Sequence, residues 1–191
     1  MLTAEQIQDN KIKYITLLSK LNIDLTEFTH YLDQIDFFAK PASAQNLKAY
    51  PGGLCQHALD LYFEMSQLCN AYFPGRYIET DVIKVALLKD LYRAELYEAF
   101  ARNVKNETTG QWESVLAYRN KEIRPVYGDI GFSSYMIAKK YFEFNDEQIE
   151  AICFANSNNT QIDIHNIRKQ YPLVTLANMA DVAASYIGTN V

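Results

Sequence analysis

AYPGGLCQHALDLYFEMSQLCNAYFPG, residues 49–75, opens on a proline and two glycines and then turns into one long periodic segment. Leu54, Ala58, Leu61, Met65, Leu68 and Tyr72 follow one another in alternating steps of four and three, the spacing that keeps side chains on one face of an α-helix. Pro74 and Gly75 end the stripe. His57 falls one turn after Leu54 and one turn before Leu61, at the border of the apolar face. A polar, titratable group in that place needs a partner.

Working outward, the same periodicity predicts helices over residues 3–21 and 25–36, before an irregular PASAQNLKAYPGG connection whose prolines and glycines stop any helix. A further helix is predicted after Thr80 as N-cap, carrying Val82, Ile83, Val85, Ala86 and Leu87. FARNVKN and WESVLAYRN flank the polar ETTGQ, so a small hairpin is expected at about 98–119. Helices resume at about 130–142, at 146–155 behind the cap Asn145, and at 172–187 with Pro172 as a first helical residue. The expected class is mainly α: a single helical bundle with one β-hairpin insertion, residues 1–38 forming N-terminal helices and 40–191 the rest of one domain.

Composition narrows the function classes. The chain has 191 residues, 49% of them hydrophobic, without a linker-like tract and without an apolar run of the roughly 18 residues a membrane span requires. The formal net charge of -5 is mixed along the chain and leaves no basic stripe for nucleic acid phosphates. The segment MLTAEQIQDNKIKYITLLSK carries charges throughout and lacks the layout of a signal peptide, and the cysteines Cys55, Cys69 and Cys153 are odd in number and widely spaced. A cytoplasmic protein with reduced thiols and no membrane partner is expected. The 14 tyrosines read as half-buried packing residues before they read as a partner surface.

Three polar residues stand against the apolar faces. Besides His57, Asp90 follows Ile83 and Ala86 by seven and four residues, and Asp181 has Ala177 and Ala184 at helical spacing. A lone histidine on such a face is more often a hydrogen-bonded core residue than a ligand, and an aspartate at a helix end is more often a cap or solvated. Burying two carboxylates without a partner costs several kcal/mol, so two acids on two apolar faces call for something cationic between them. A metal ion, a histidine or a lysine would serve.

The ordered segments GGLCQHALDLY, VALLKDLYRAELY, YGDIGFSSYMI, DEQIEAICFAN and LANMADVAASYI resemble the HD-domain superfamily of metal-dependent phosphohydrolases, from about residue 40 onward. The likeness is greatest to bacterial and phage HD-domain proteins, which also place a hairpin like RNVKNETTGQWESVLAY after the HD dipeptide. The resemblance implies that His57 matches the family's first ligand histidine, Asp90 the aspartate of the dipeptide and Asp181 the late aspartate. It equally implies losses. Lys89 stands where the dipeptide has histidine, Asp129 where a GHG segment has histidine, and Ala155 where the next helix ends in histidine.

Family metal sites polarise a phosphoryl oxygen and lower the pKa of a bound water. A protonated Lys89 cannot ligate and repels a cation; turned inward, it would neutralise Asp90 and Asp181 in the metal's place. Turned outward, it would be a surface lysine with its stem on the helix. Asp129 reads either as a helix cap or, with His57, Asp90 and Asp181, as part of an oxygen-rich set that accepts one Mn or Mg ion. Asn156 and Asn158 are poor substitutes for imidazole. Arg93, Arg102 and Lys105, with Arg119, Lys121 and Arg124, are candidates for phosphate contacts, although glutamates interleave with them.

Three readings of function follow from this pattern. In the first, the domain is a degenerate, catalytically inactive one that needs no cofactor and binds a nucleotide-like small molecule or a protein partner. In the second, it is an active phosphohydrolase on a nucleotide or phosphate monoester with an atypical single-metal site, Asp90 being its catalytic residue. In the third, it is a structural component of a larger assembly, such as a phage complex.

Overall fold

A capping box starts the first helix: the Gln6 amide donates to Thr3 Oγ1 and the Thr3 amide to Gln6 Oε1. The computed structural model describes residues 1–45, 48–123, 128–157 and 163–187. In chain order it comprises α1 (Ala4–Ser19), α2 (Thr26–Gln34), a 3-10 turn (Phe37–Ala39), α3 (Gly53–Tyr72), α4 (Glu79–Leu88), the one-turn α5 (Arg93–Leu96), strands β1 (Tyr97–Lys105) and β2 (Trp112–Asn120), α6 (Ile130–Ala138), α7 (Asp146–Phe154), α8 (Ile164–Gln170) and α9 (Pro172–Tyr186). The protein is mainly α-helical with one antiparallel hairpin, the class the sequence predicts. Among the described residues, no helix is long and apolar enough to cross a membrane.

Two hydrophobic cores meet at α3 and α4. Leu54, Cys55 and Ala58 of α3 and Ile83, Leu87 and Leu88 of α4 pack with Tyr14, Leu18, Phe28, Leu32 and Phe37 from the N-terminal elements. One face further round, Leu61, Met65 and Cys69 pack with Val82, Val85 and Ala86 and with α7 and α9. The residues 1–38 therefore share a core with the remainder. The predicted stripe holds as far as Met65; Cys69 then takes the buried place, and Tyr72 is 61% exposed where α3 outruns its cover.

The double glycine has a steric cause. Gly52 has φ +80°, the left-handed conformation that glycine adopts without a Cβ penalty. At Gly53 a Cβ would stand 2.1 Å from the Lys48 carbonyl oxygen, so only hydrogen fits where the 40–52 connection crosses the start of α3. Gly131 plays the same part at α6, where a Cβ would come 2.3 Å from the Ile152 carbonyl oxygen of α7.

Several local expectations are refined. α4 starts at Glu79, not after Thr80, because Asp81 caps from inside the first turn by accepting from the Ile78 amide at 3.0 Å. Asn145 caps α7 and Pro172 opens α9 as predicted. α6 ends at Ala138 in a turn, short of residue 142. The hairpin pairs Tyr97 with Asn120 through Lys105 with Trp112, one residue longer at each end than expected. α8 is not foreseen in the sequence: it is seven residues long and packs only the half-buried Ile164 and Ile167 against the second core, and Asp163 starts it by accepting from the Asn166 main-chain amide.

The tyrosines largely pack. Tyr14, Tyr92, Tyr97 and Tyr118 are buried, while the half-buried Tyr31, Tyr62 and Tyr77 donate to Glu95, Glu79 and Glu147. All three cysteines are free and buried.

Candidate functional site

His57 sits in the second turn of α3, and Asp181 faces it from α9. The two helices approach closely because α9 presents Ala177, Ala180 and Ala184, all buried, to its neighbours. His57 Nε2 lies 2.9 Å from Asp181 Oδ1 and 3.6 Å from Asp90 Oδ2. Asp90 comes from the turn just past α4, where Lys89 is the C-cap residue. Thus two helices and one helix end bring His57, Asp90 and Asp181 together. Nearby main chain is tied down by Tyr14, whose hydroxyl donates to the Leu87 carbonyl at 2.7 Å, and by Ser134 Oγ, which accepts from the Tyr92 amide at 3.1 Å.

Lys89 turns inward. Its Nζ donates to Asp90 Oδ2 at 2.6 Å and to Asp181 Oδ1 at 3.0 Å, and only 3% of the side chain is exposed. Arg93, one turn on at the head of α5, completes the cluster by donating through Nε to Asp90 Oδ1 at 2.7 Å and through a terminal nitrogen to the Ala42 carbonyl at 3.2 Å. Asn156 Nδ2 donates to Asp181 Oδ2 at 2.9 Å, and Asn178 Nδ2 to Asn156 Oδ1 at 3.1 Å. Each carboxylate oxygen of Asp90 and Asp181 therefore has a donor. A buried ion pair is tolerated only when its remaining lone pairs are satisfied in this way.

The electrostatics follow from that arrangement. Burial raises the pKa of the Asp90 carboxyl, but Lys89, Arg93 and His57 outweigh it and hold the group well below its ordinary range. Asp181 is likewise pushed up by burial and brought down by Lys89 and the His57 hydrogen bond. Burial works against the Lys89 ammonium, yet Asp90 and Asp181 carry its pKa above the usual value. For His57, too, burial is overcome by hydrogen bonds and charge from Asp181 and Asp90, so the imidazole titrates above its ordinary pKa of 6.5. The cluster is held as two carboxylates against an ammonium and a guanidinium.

Two hollows flank it. One of about 260 Å³ lies between Lys89, Asp90 and Arg93 on one side and Asp129, Gly131 and Asn156 on the other. A smaller one of about 160 Å³ is bounded by His57, Arg93, Asp181, Lys48 and Tyr186. Asp129 caps α6, its Oδ1 accepting from the Gly131 amide at 2.9 Å. It lines the larger hollow but does not join His57, Asp90 and Asp181, whose donor atoms lie within 4.8 Å of one another. Ala155 is a buried methyl in the second core. Arg102 and Lys105 are exposed on β1 and line neither hollow, and Arg119 pairs with Glu98 across the hairpin. Arg124 and Asn158 lie outside the described residues.

A divalent ion does not fit this donor set as it stands. The oxygens it would take, Asp90 Oδ2 and Asp181 Oδ1, are the two on which the Lys89 ammonium rests, and a cation there would face that charge at contact distance.

A second buried pair was missed in the sequence. Lys48 Nζ donates to Asp60 Oδ2 and, at 2.7 Å, to the Ala184 carbonyl, while Asp60 Oδ1 accepts from Gln56, whose Oε1 accepts from the buried Asn10. The signal was present for Asp60: it adjoins Leu61 on the same apolar face that drew attention to His57. For Lys48, in an aperiodic connection, there was none.

Comparison with family models, with curated proteins and with solved structures finds no match to this chain.

Proposed function

We propose that this protein is an HD-like domain that has exchanged its metal for a lysine and acts by binding, not by hydrolysis. The observation that carries the reading is the Lys89 ammonium, seated between the carboxylates of Asp90 and Asp181. With the Lys89 ammonium on the carboxylate oxygens that a divalent ion would need, the site is not arranged to polarise a water into hydroxide by metal coordination. Lys89 itself is no base, because its neighbours keep it protonated. What persists is a rigid polar wall with hollows beside it. At about 260 Å³ the larger hollow is below the size of a whole nucleotide site, and it suits one polar group of a nucleotide-like ligand, such as a phosphoryl group against Arg93 and Asn156.

The test is a titration with adenosine monophosphate, followed by amide shifts in the NMR spectrum. Shifts confined to Ile130, Gly131, Asn156 and their neighbours, with no phosphate released in the presence of Mn, are expected. Phosphate release that requires Mn and vanishes in Asp90→Asn would instead establish a hydrolase.

The competing hydrolase reading draws on the close approach of His57, Asp90 and Asp181 donor atoms, which would hold one Mn or Mg ion if Lys89 swung aside.

A further inference from the structure

Beyond the polar cluster, the hairpin is the part of the molecule whose construction its own fold does not use. Only Tyr97 and Tyr118, at its base, are buried; from Ala101 to Lys105 and from Trp112 to Leu116 every residue is exposed. Trp112 is 71% and Leu116 54% exposed, and they stand on one face with Tyr118, while Val115 stands on the other. An isolated two-stranded ribbon is marginal in water, whereas three or more strands with an apolar face are stable. Natural proteins blunt free edges with proline, lysine or short strands. β2, nine residues long, carries neither proline nor lysine.

The hydrogen-bond phase of the ladder fixes which groups face outward. The Lys121 amide donates to the Leu96 carbonyl at 2.9 Å and the Asn106 amide to the Gln111 carbonyl at 2.8 Å. Bonded pairs recur at every second position of an antiparallel ladder. With the observed register, the bonded pairs inside the hairpin are therefore Glu98 with Arg119, Phe100 with Ala117, Arg102 with Val115 and Val104 with Glu113. The N–H and C=O groups of Trp112, Ser114, Leu116, Tyr118 and Asn120 point away from β1. Among the described residues, none of them has a main-chain partner on that side.

We propose that this outer edge of β2 pairs antiparallel with the same edge of a second copy, about a two-fold axis through Leu116, to make a four-stranded intermolecular sheet. The sequence of β2 is self-complementary about that axis. Trp112 meets the second copy's Asn120, Ser114 its Tyr118 and Leu116 its Leu116, so every outward-facing residue of one edge finds an outward-facing residue on the other. On the opposite face Val115 meets Ala117, and Glu113 meets Arg119 twice over, once on each side of the axis. Opposite charges directly across a sheet stabilise the pairing, and a closed two-fold contact uses up the β2 edge of both copies. The edge of β1 lacks this match: centred on Ala101, it sets Glu98 against Val104 and Phe100 against Arg102.

Sedimentation of the full chain tests the proposal. A reversible dimer is expected over the micromolar range. Leu116→Pro removes an outward amide and no bond within the hairpin, so it should leave the helical circular dichroism intact and weaken the dimer at least tenfold. A charge swap needs no proline. Glu113→Arg alone, and Glu98→Arg with Arg119→Glu, which keeps the pair inside the hairpin, should each be monomeric where the wild type is dimeric. Mixed in equal amounts, they should form a heterodimer. A wild type that stays monomeric to about 100 µM, or a dimer indifferent to Leu116→Pro and to the swap, overturns the proposal. So does an edge that instead captures an extended peptide while the chain remains a monomer.

Discussion

Lys89 and Asp181 lie 92 residues apart in the chain and meet at 3.0 Å, with the lysine side chain almost wholly out of solvent. That contact joins the end of α4 to α9 across the start of α3. Removing its positive member leaves two carboxylates beside a single guanidinium. Lys89→Met, which keeps the length of the stem, is expected to cost about 3 kcal/mol or more, because breaking a buried pair strands the opposite charge. Asp181→Ala should cost less, since Asp181 is 15% exposed and Asp90 still faces the ammonium. Thermal or urea midpoints of the two variants give the order directly.

The acid limb of stability carries the same signature. Asp90 and Asp181 both have native pKa values below their unfolded values. Their contribution is therefore complete above about pH 4 and declines as pH falls through the native values. In Lys89→Met the carboxylates have less reason to stay ionised. The stability gap between wild type and this variant should be widest near neutrality and begin to narrow as the pH falls below about 4, as urea titrations at a series of pH values would show.

His57 shifts in the opposite sense. Its native pKa is raised, so the stability it contributes is fully present below about pH 6.5 and is lost as pH rises through the native value. Its imidazole resonances should titrate with a midpoint above 6.5 in the wild type and at a lower pH in Asp181→Asn, where the hydrogen-bonded negative charge is gone.

Much of this was legible in the chain because burial and period coincide. The stripe Leu54, Ala58, Leu61, Met65 fixed the direction of α3, and with it the inward aim of His57. An acid on an apolar face at Asp181 likewise announced a buried partner. The reading failed where structure rests on contacts that leave no period. Lys48 reaches Asp60 from an irregular connection, and the seven-residue α8 offers only Ile164 and Ile167, both half-buried, as a signal. Arg93 carries a further contact of that kind: its guanidinium holds Asp90 and the Ala42 carbonyl where the 40–45 segment passes, while the residue still lines the larger hollow.

Gly53 offers a test of the connection that frames the site. A methyl group there would meet the Lys48 carbonyl oxygen at 2.1 Å, and main chain would have to move. Gly53→Ala is expected to destabilise by about 3 kcal/mol, at the upper end of ordinary overpacking. Gly75→Ala, with no atom near its Cβ position, is a control in which only the left-handed backbone opposes the change. Midpoints from thermal unfolding should separate the two.

The proposed exchange of a metal for an ammonium is tested most directly by calorimetric titration of Mn into the wild type and into Lys89→His. The substitution puts a neutral donor in place of a competing charge beside His57, Asp90 and Asp181. No heat of binding is expected from the wild type up to millimolar Mn. A weak site that disappears again in Lys89→His with Asp181→Ala is expected from the variant. Tight Mn binding by the wild type, abolished by Asp90→Asn, would contradict the account, for it would mean that the ammonium yields its place to the ion.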